Sequence, residues 1–171
     1  MVNNAGIAGQ IGPLDWLHLS DYKSCFDVNL FGLIDTTVTF LPLIKQEKGR
    51  IVNMTSILGR TTGAPFAPYA LSKQASEAFS DILRYINHVL LSPMPTAKIV
   101  SASSFIYYDL VSCRRQLIDY GCSVHIIEPG FYTTNITNKS SATKSLEFAW
   151  NRLSPEMKAE YGGQEYFDTS K

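Results

Sequence analysis

Apolar residues recur at helical spacing in the first third of the chain, from Phe26 through Leu30, Leu33 and Leu41 to Ile44. Steps of three and four residues mark a helix with one buried face. Ser20-Asp21 lies just ahead, with Ser20 as N-cap and Asp21 as an acid in the first turn, and Gly49 is a stop. Pro42 lacks the N–H that an interior helical position needs, so it should kink this helix or split off its last turn. Asn29 falls on the buried side, where an amide must find partners. Arg50 to Met54, RIVNM, then reads as a buried parallel strand, with β-branched Ile51 and Val52. Cys122 to Ile127, CSVHII, is a second strand of the same kind. Between them comes a loop over Thr61 to Pro65, then a helix with Pro68 in its first turn and Leu71, Ala75, Ala78, Phe79 and Ile82 for packing. Further helical stretches cover Thr143 to Leu153 and Pro155 to Tyr161. Strand, helix and strand alternate, which predicts an α/β fold with a doubly wound parallel sheet. Such sheets bind ligands at the carboxyl ends of their strands, so the residues after Met54 and after Ile127 face one crevice.

Composition narrows the classes. At 171 residues and 45% hydrophobic content, the chain suits one domain with a real core. Fifteen basic residues balance fifteen acidic ones, and no basic stripe argues for nucleic acid. Cys25, Cys113 and Cys122 are scattered without metal-ligand spacing, and His18, His88 and His125 have no partner spacing, so no metal site is expected. MVNNAG has neither the basic nor the apolar part of a signal peptide, and no apolar run reaches about 18 residues, so no membrane span is expected. The sequons at Asn135 and Asn138 are common triplets and carry no weight.

Candidate chemistry concentrates between Ser56 and Lys73, SILGRTTGAPFAPYALSK. Tyr69 and Lys73 are four apart and share one helix face. A phenol is a poor acid or base at neutral pH, and a neighbouring ammonium lowers its pKa by favouring the phenolate. The pair therefore reads as a general acid/base. Ser56 comes thirteen positions earlier, at the end of the RIVNM strand, where a strand end beside a helix start brings a hydroxyl to the phenol. Tyr-x-x-x-Lys alone is a weak signal, although Tyr69 is the one tyrosine of nine that satisfies it.

Its surroundings give it weight. NNAG at Asn3 to Gly6, Asn29 in DVNLFG, Ser56 in VNMTS, YALSK, and EPGFYTT at Glu128 to Thr134 stand in the order of a short-chain dehydrogenase/reductase. The wording NLFGLID, LPLIK, EAFSDILR and LSPEMKAEYG resembles the retinol dehydrogenase and 17β-hydroxysteroid dehydrogenase type 6 subfamily. That resemblance implies a partial Rossmann-type sheet, and hydride transfer between a nicotinamide cofactor and a retinol- or steroid-like alcohol or ketone. It implies Tyr69 as acid/base, Ser56 as hydrogen-bond donor to the substrate oxygen, Lys73 on the nicotinamide ribose, and Asn29 holding a relay water. It implies cofactor contacts from Asn3, Ala5 and Gly6, and from Pro129, Gly130 and Thr134. The cofactor it points to is NAD, with NADP open, and a homo-oligomer is compatible with it. It places residues 131–171 over the substrate, where Phe131, Tyr132, Phe148 and Trp150 either line a pocket or form plain core. The subfamily is associated with the endoplasmic reticulum membrane through an apolar N-terminal segment that this sequence does not contain.

Two departures from the family stand out. Its glycine-rich turn, TGxxxGxG, is absent: Gly6, Gly9 and Gly12 follow NNAG rather than a first strand. The first strand–helix units are thus expected to be missing, and with them the pyrophosphate cradle. A non-catalytic nucleotide-binding or interaction fragment is therefore the competing reading. The second departure is residues 85–114, YINHVLLSPMPTAKIVSASSFIYYDLVSCR, which interrupt a run that family members read as SDSLRREL. Pro93 and Pro95 break helix there, and neither helical nor strand period runs through it. The segment reads as translated intron, with the helix ending near Arg84. Codons AGG-TA at Arg84-Tyr85 and TGC-AGG at Cys113-Arg114 would supply a splice donor and an acceptor, and their joining would restore one Arg in frame. The alternative is a lineage-specific loop that touches a membrane through Phe105, Ile106, Tyr107 and Tyr108. Sequencing the transcript across this junction decides: spliced messages should lack the 30 codons, and mature messages that all retain them end the intron reading.

Overall fold

The computed structural model describes residues 1–89, 121–130 and 139–169. Among them three strands form one parallel sheet in the order β1 (Val2–Asn3), β2 (Arg50–Met54), β3 (Ser123–Ile127). Val2 lies opposite Val52, and Ile51 opposite Val124. The α/β parallel arrangement is the one that the alternation of the sequence predicts, and the RIVNM strand has the predicted bounds. One layer of helix consists of α1 (Leu19–Phe26), a π-helical turn (Asp27–Phe31) and α2 (Gly32–Gln46). The central helix α3 (Ala67–Val89) packs against that turn, against α1 and against β3. The core between sheet and helices holds Ile44, Ile51, Leu83, Cys122 and Val124.

A second apolar cluster unites distant parts of the chain. Trp16 packs with Trp150 and Leu153 from α4 (Lys139–Asn151) and the turn after it, and with Phe167 from α6 (Gly163–Thr169). The Trp150 and Phe167 rings stack at 4.9 Å and 11°. Between these helices lies α5 (Pro155–Glu160), capped by Ser154, whose Oγ accepts from Met157 N at 3.2 Å. Arg152 donates to both oxygens of Asp21 at 3.0 and 2.7 Å, tying the end of α4 to the start of α1. Burial pushes the Asp21 carboxyl up, but Arg152 and the His18 N–H outweigh it and hold the group below its ordinary value.

Several details differ from expectation. The first helix is capped by His18 rather than Ser20, because Asp21 Oδ2 reaches back to accept from His18 N at 2.8 Å in a capping box. Pro42 sits inside α2 without ending it, and the helix runs on to Gln46. Leu19–Gln46 is 28 residues long and contains an 18-residue window with a mean hydropathy of 1.3, enough by length and composition to cross a membrane. Its inner face, however, buries the polar Asn29 and Thr37 against the rest of the domain. The central helix continues through Val89, past Arg84, since its i→i−4 hydrogen bonds need no apolar period to propagate. The remainder of the 85–114 segment lies outside the described residues.

Candidate active site

Ser56 follows β2 with extended backbone and caps a short 3-10 turn, Ile57–Gly59, its Oγ accepting from Leu58 N at 3.2 Å. Tyr69 and Lys73 project from the first turns of α3. The helix start and the strand end meet here, and the Ser56 hydroxyl lies close enough to the Tyr69 phenol to influence it. Lys73 is 4% exposed, and its Nζ donates to Met54 O at 2.9 Å, 5.6 Å from the centre of the Tyr69 ring. The three predicted side chains are thus assembled at the carboxyl end of β2.

Their electrostatics differ from the simple expectation. Burial raises the Tyr69 phenol above its ordinary range, the neighbouring Ser56 hydroxyl opposes that rise, and Cys25 adds to it. Burial also lowers the Lys73 amine, with Cys25 opposing. Ser56 is thus one group that favours the phenolate. The ammonium points to the strand carbonyl and is itself disfavoured by desolvation.

Asn29 is 1% exposed, within the π-helical turn. Its Oδ1 accepts from Ile7 N at 2.8 Å, and its Nδ2 donates to Ile7 O at 2.9 Å and to Ser72 Oγ at 2.9 Å. The side chain is a two-pronged clamp on the segment that follows Gly6. Ser76 Oγ donates to the Asn29 carbonyl at 3.1 Å. The extra residue of a π turn shifts the helix face locally, a feature frequent at functional sites.

The other predicted positions divide. The Asn3 side chain turns inward, its Nδ2 donating to Thr37 Oγ1 at 3.0 Å and Asn53 Oδ1 at 2.8 Å, so the side chain braces β1. Ala5 is exposed. At Gly6 an added Cβ would lie 3.4 Å from both Lys73 Nζ and Asn29 Oδ1, so a side chain there would crowd the amine. A cavity of about 320 Å3 opens beside it, lined by Gly6, Ile7, Ala8, Ser141 and Ser145 among others. Pro129 O accepts from Ile57 N at 3.0 Å, which sets the loop after β3 against the turn after Ser56, and the space around Gly130 is open. Thr134, Phe131 and Tyr132 lie outside the described residues. Trp150 belongs to the tryptophan cluster, while Phe148 is 56% exposed under the Arg152 guanidinium, so neither lines this site.

Sequence reasoning passed over Ser72, Cys25 and Glu77. Ser72, Ser76 and Ser80 are fully buried at helical spacing along α3, and that repeat was the available signal. Ser72 Oγ donates to Tyr69 O at 2.7 Å while accepting from Asn29.

Comparison with known proteins gives the family. The model of the short chain dehydrogenase family matches residues 1–85. Over 163 residues the chain is 39% identical to retinol dehydrogenase 5 of Homo sapiens, covering 95% of this chain and 42% of that protein. The chain belongs to the short-chain dehydrogenase family. It is also 35% identical to dehydrogenase/reductase SDR family member 9 of Bos taurus, over 99% of this chain and 43% of that one. Among solved structures, a short-chain dehydrogenase from Streptomyces avermitilis superposes with a TM-score of 0.57 at 25% identity, over 81% of this chain and 40% of that one. An NADP complex of a Burkholderia cenocepacia short chain dehydrogenase matches with a TM-score of 0.58 at 22% identity, over 80% and 45% of the two chains, which shows the fold alone. The chain spans about two fifths of the length of the curated relatives it matches.

The Asn29 clamp gives a direct expectation. Asn29→Ala removes both partners of the Ile7 peptide groups, so hydrogen exchange at the Ile7 amide should accelerate about 10- to 100-fold, the worth of one or two buried hydrogen bonds. Unchanged exchange at Ile7 would show that the clamp does not hold this segment.

Proposed function

We propose that this chain carries the proton-handling centre of a nicotinamide-dependent alcohol dehydrogenase acting on a retinol- or hydroxysteroid-like alcohol. The observation that carries the reading is the convergence of Ser56, Tyr69 and, one helical turn on, Lys73 at the carboxyl end of β2. The likeness to retinol dehydrogenases supports the substrate class.

The residues present fit a nicotinamide cofactor. Gly6 leaves room for close approach beside Lys73, and Gly130 opens onto free space. Lys73 and the backbone of Ala5 and Gly6 would hold it on one side, with Pro129 and Gly130 on the other. When bound, the cofactor supplies the hydride acceptor or donor, NAD being the expected form and NADP the alternative. The chain's own part is to manage one proton. Tyr69 Oη takes it from the alcohol oxygen in oxidation and returns it in reduction. Ser56 Oγ donates toward the oxygen on which charge develops. Taking the proton in oxidation requires the phenolate, which burial disfavours and Ser56 favours, and returning it in reduction requires the phenol. Asn29 keeps the floor of the site in register through Ile7. Association with the endoplasmic reticulum membrane belongs to the same proposal, supported by the resemblance to the retinol dehydrogenases and not by Leu19–Gln46.

Two measurements test it. In the full-length protein, Tyr69→Phe should lower alcohol-dependent cofactor reduction by roughly 100- to 10,000-fold with the fold intact. Near-normal turnover in that variant sinks the assignment of Tyr69, whereas no alcohol-dependent turnover in the wild type favours the non-catalytic reading. These 171 residues alone lack a glycine-rich turn to hold the pyrophosphate. Calorimetric titration of the 171-residue chain with NAD and NADP should thus show binding weaker than micromolar, and micromolar affinity for either would refute that expectation.

A further inference from the structure

A buried carboxylate stands behind the Ser56 turn. Glu77 is 4% exposed and lies two helical turns beyond Tyr69, on the face of α3 that also carries Lys73. Its Oε1 accepts from Thr55 Oγ1 at 3.2 Å, on the residue before Ser56. An added Cβ on Gly59 would fall 2.3 Å from the same oxygen, so the backbone of the 3-10 turn lies directly against the carboxylate. Arg60 then brings its Nε to 2.6 Å from Glu77 Oε2, an ion pair formed off the N–H axis, because that N–H donates to Glu128 Oε1 at 2.9 Å. Glu128 begins the loop of Pro129 and Gly130. The chain from 55 to 60 is thus wound round one side chain and fastened to the strand beside it.

We propose that Glu77 is a positioning residue: it is the post that fixes the 55–60 turn and so sets Ser56 against Tyr69, with Arg60 as the tie to the β3 loop. The inference rests on the reading of Ser56 and Tyr69 as the proton-handling pair. Its physical basis is economy of reference points. Tyr69, Lys73 and Glu77 ride on one helix, so a turn anchored to Glu77 inherits the position of the phenol. Thr55 and Ser56 extend β2, but the strand alone leaves the following turn free to swing. Contacts before and after Ser56, at 55, 59 and 60, remove that freedom. Removing Arg60 alone would strand a buried carboxylate, so the informative variants neutralise Glu77 itself.

The test reads Tyr69 directly. The chain is labelled with 13C at tyrosine Cζ, and the Tyr69 signal is identified by its loss in Tyr69→Phe. Wild type, Ser56→Ala, Glu77→Gln and the double variant Arg60→Gln/Glu77→Gln are titrated; the double variant leaves no buried charge unpaired if the single one fails to fold. Cys25 and Lys73, the other titratable groups around Tyr69, are unchanged throughout. If Ser56 drifts when its post is altered, the phenol loses its partner and titrates at higher pH, in the same direction as in Ser56→Ala. Loss of a carboxylate charge by itself acts in the opposite sense, since it favours the phenolate. An unchanged or lowered titration in both Glu77 variants, with Ser56→Ala shifted upward, overturns the proposal and leaves the pair standing. No shift in Ser56→Ala overturns the pair itself, and the proposal with it.

Discussion

Everything at this site depends on how closely α3 approaches its neighbours, and three serines set that approach. Ser72, Ser76 and Ser80 are fully buried along one line of the helix. Their small side chains let it lie tight against the π turn and the sheet. Their hydroxyls do not go unpaired: Ser76 and Ser80 donate to the carbonyls one turn back at 2.8 and 2.7 Å. Their remaining capacity receives Asn29 at Ser72 and Asn53 at Ser80. Asn53 in turn holds Asn3, so the line of serines connects helix, π turn and the first two strands in one polar network. Buried polar groups are costly unless each is satisfied, and a fully satisfied network specifies one register. A larger residue at any of the three would push α3 outward, and with it Tyr69.

The sequence showed the parts of this that depend on period and chemistry. The strand Arg50–Met54, the alternation into a parallel sheet, and the meeting of Ser56, Tyr69 and Lys73 could all be read from it. Local competition decided the rest. His18 displaced Ser20 as cap because the side chain of Asp21 was in reach of its N–H. The π turn has no signature that periodicity can find, because it changes the period itself. The bracing role of the Asn3 side chain is not visible in NNAG, and it follows from strand alternation, which turns that side chain to the inside. Glu77 was hidden for a different reason. A lone acid on a helix reads as surface, and only the fold shows that Gly59 and Thr55 close over it.

Charge burial explains why the site is built from so many neutral hydrogen bonds. Lys73 and Glu77 are both nearly inaccessible, and each is disfavoured by desolvation. Neither is left to a single partner of opposite charge in a dry pocket. Lys73 leans on a strand carbonyl, and Glu77 on a hydroxyl and a half-exposed guanidinium. Such mixed solvation holds a charged group in place without fixing its ionisation as firmly as a buried ion pair would.

The tryptophan cluster has a practical consequence. The chain has two tryptophans, and their rings lie 5.2 Å apart between the segment before α1 and the end of α4. Residues 134 positions apart in the chain must meet to form that contact. Intrinsic tryptophan emission from this protein therefore reports the docking of the C-terminal helices. Both emitters lie in a cluster apart from the core between sheet and helices, so their emission does not report the Ser56–Tyr69 pair directly.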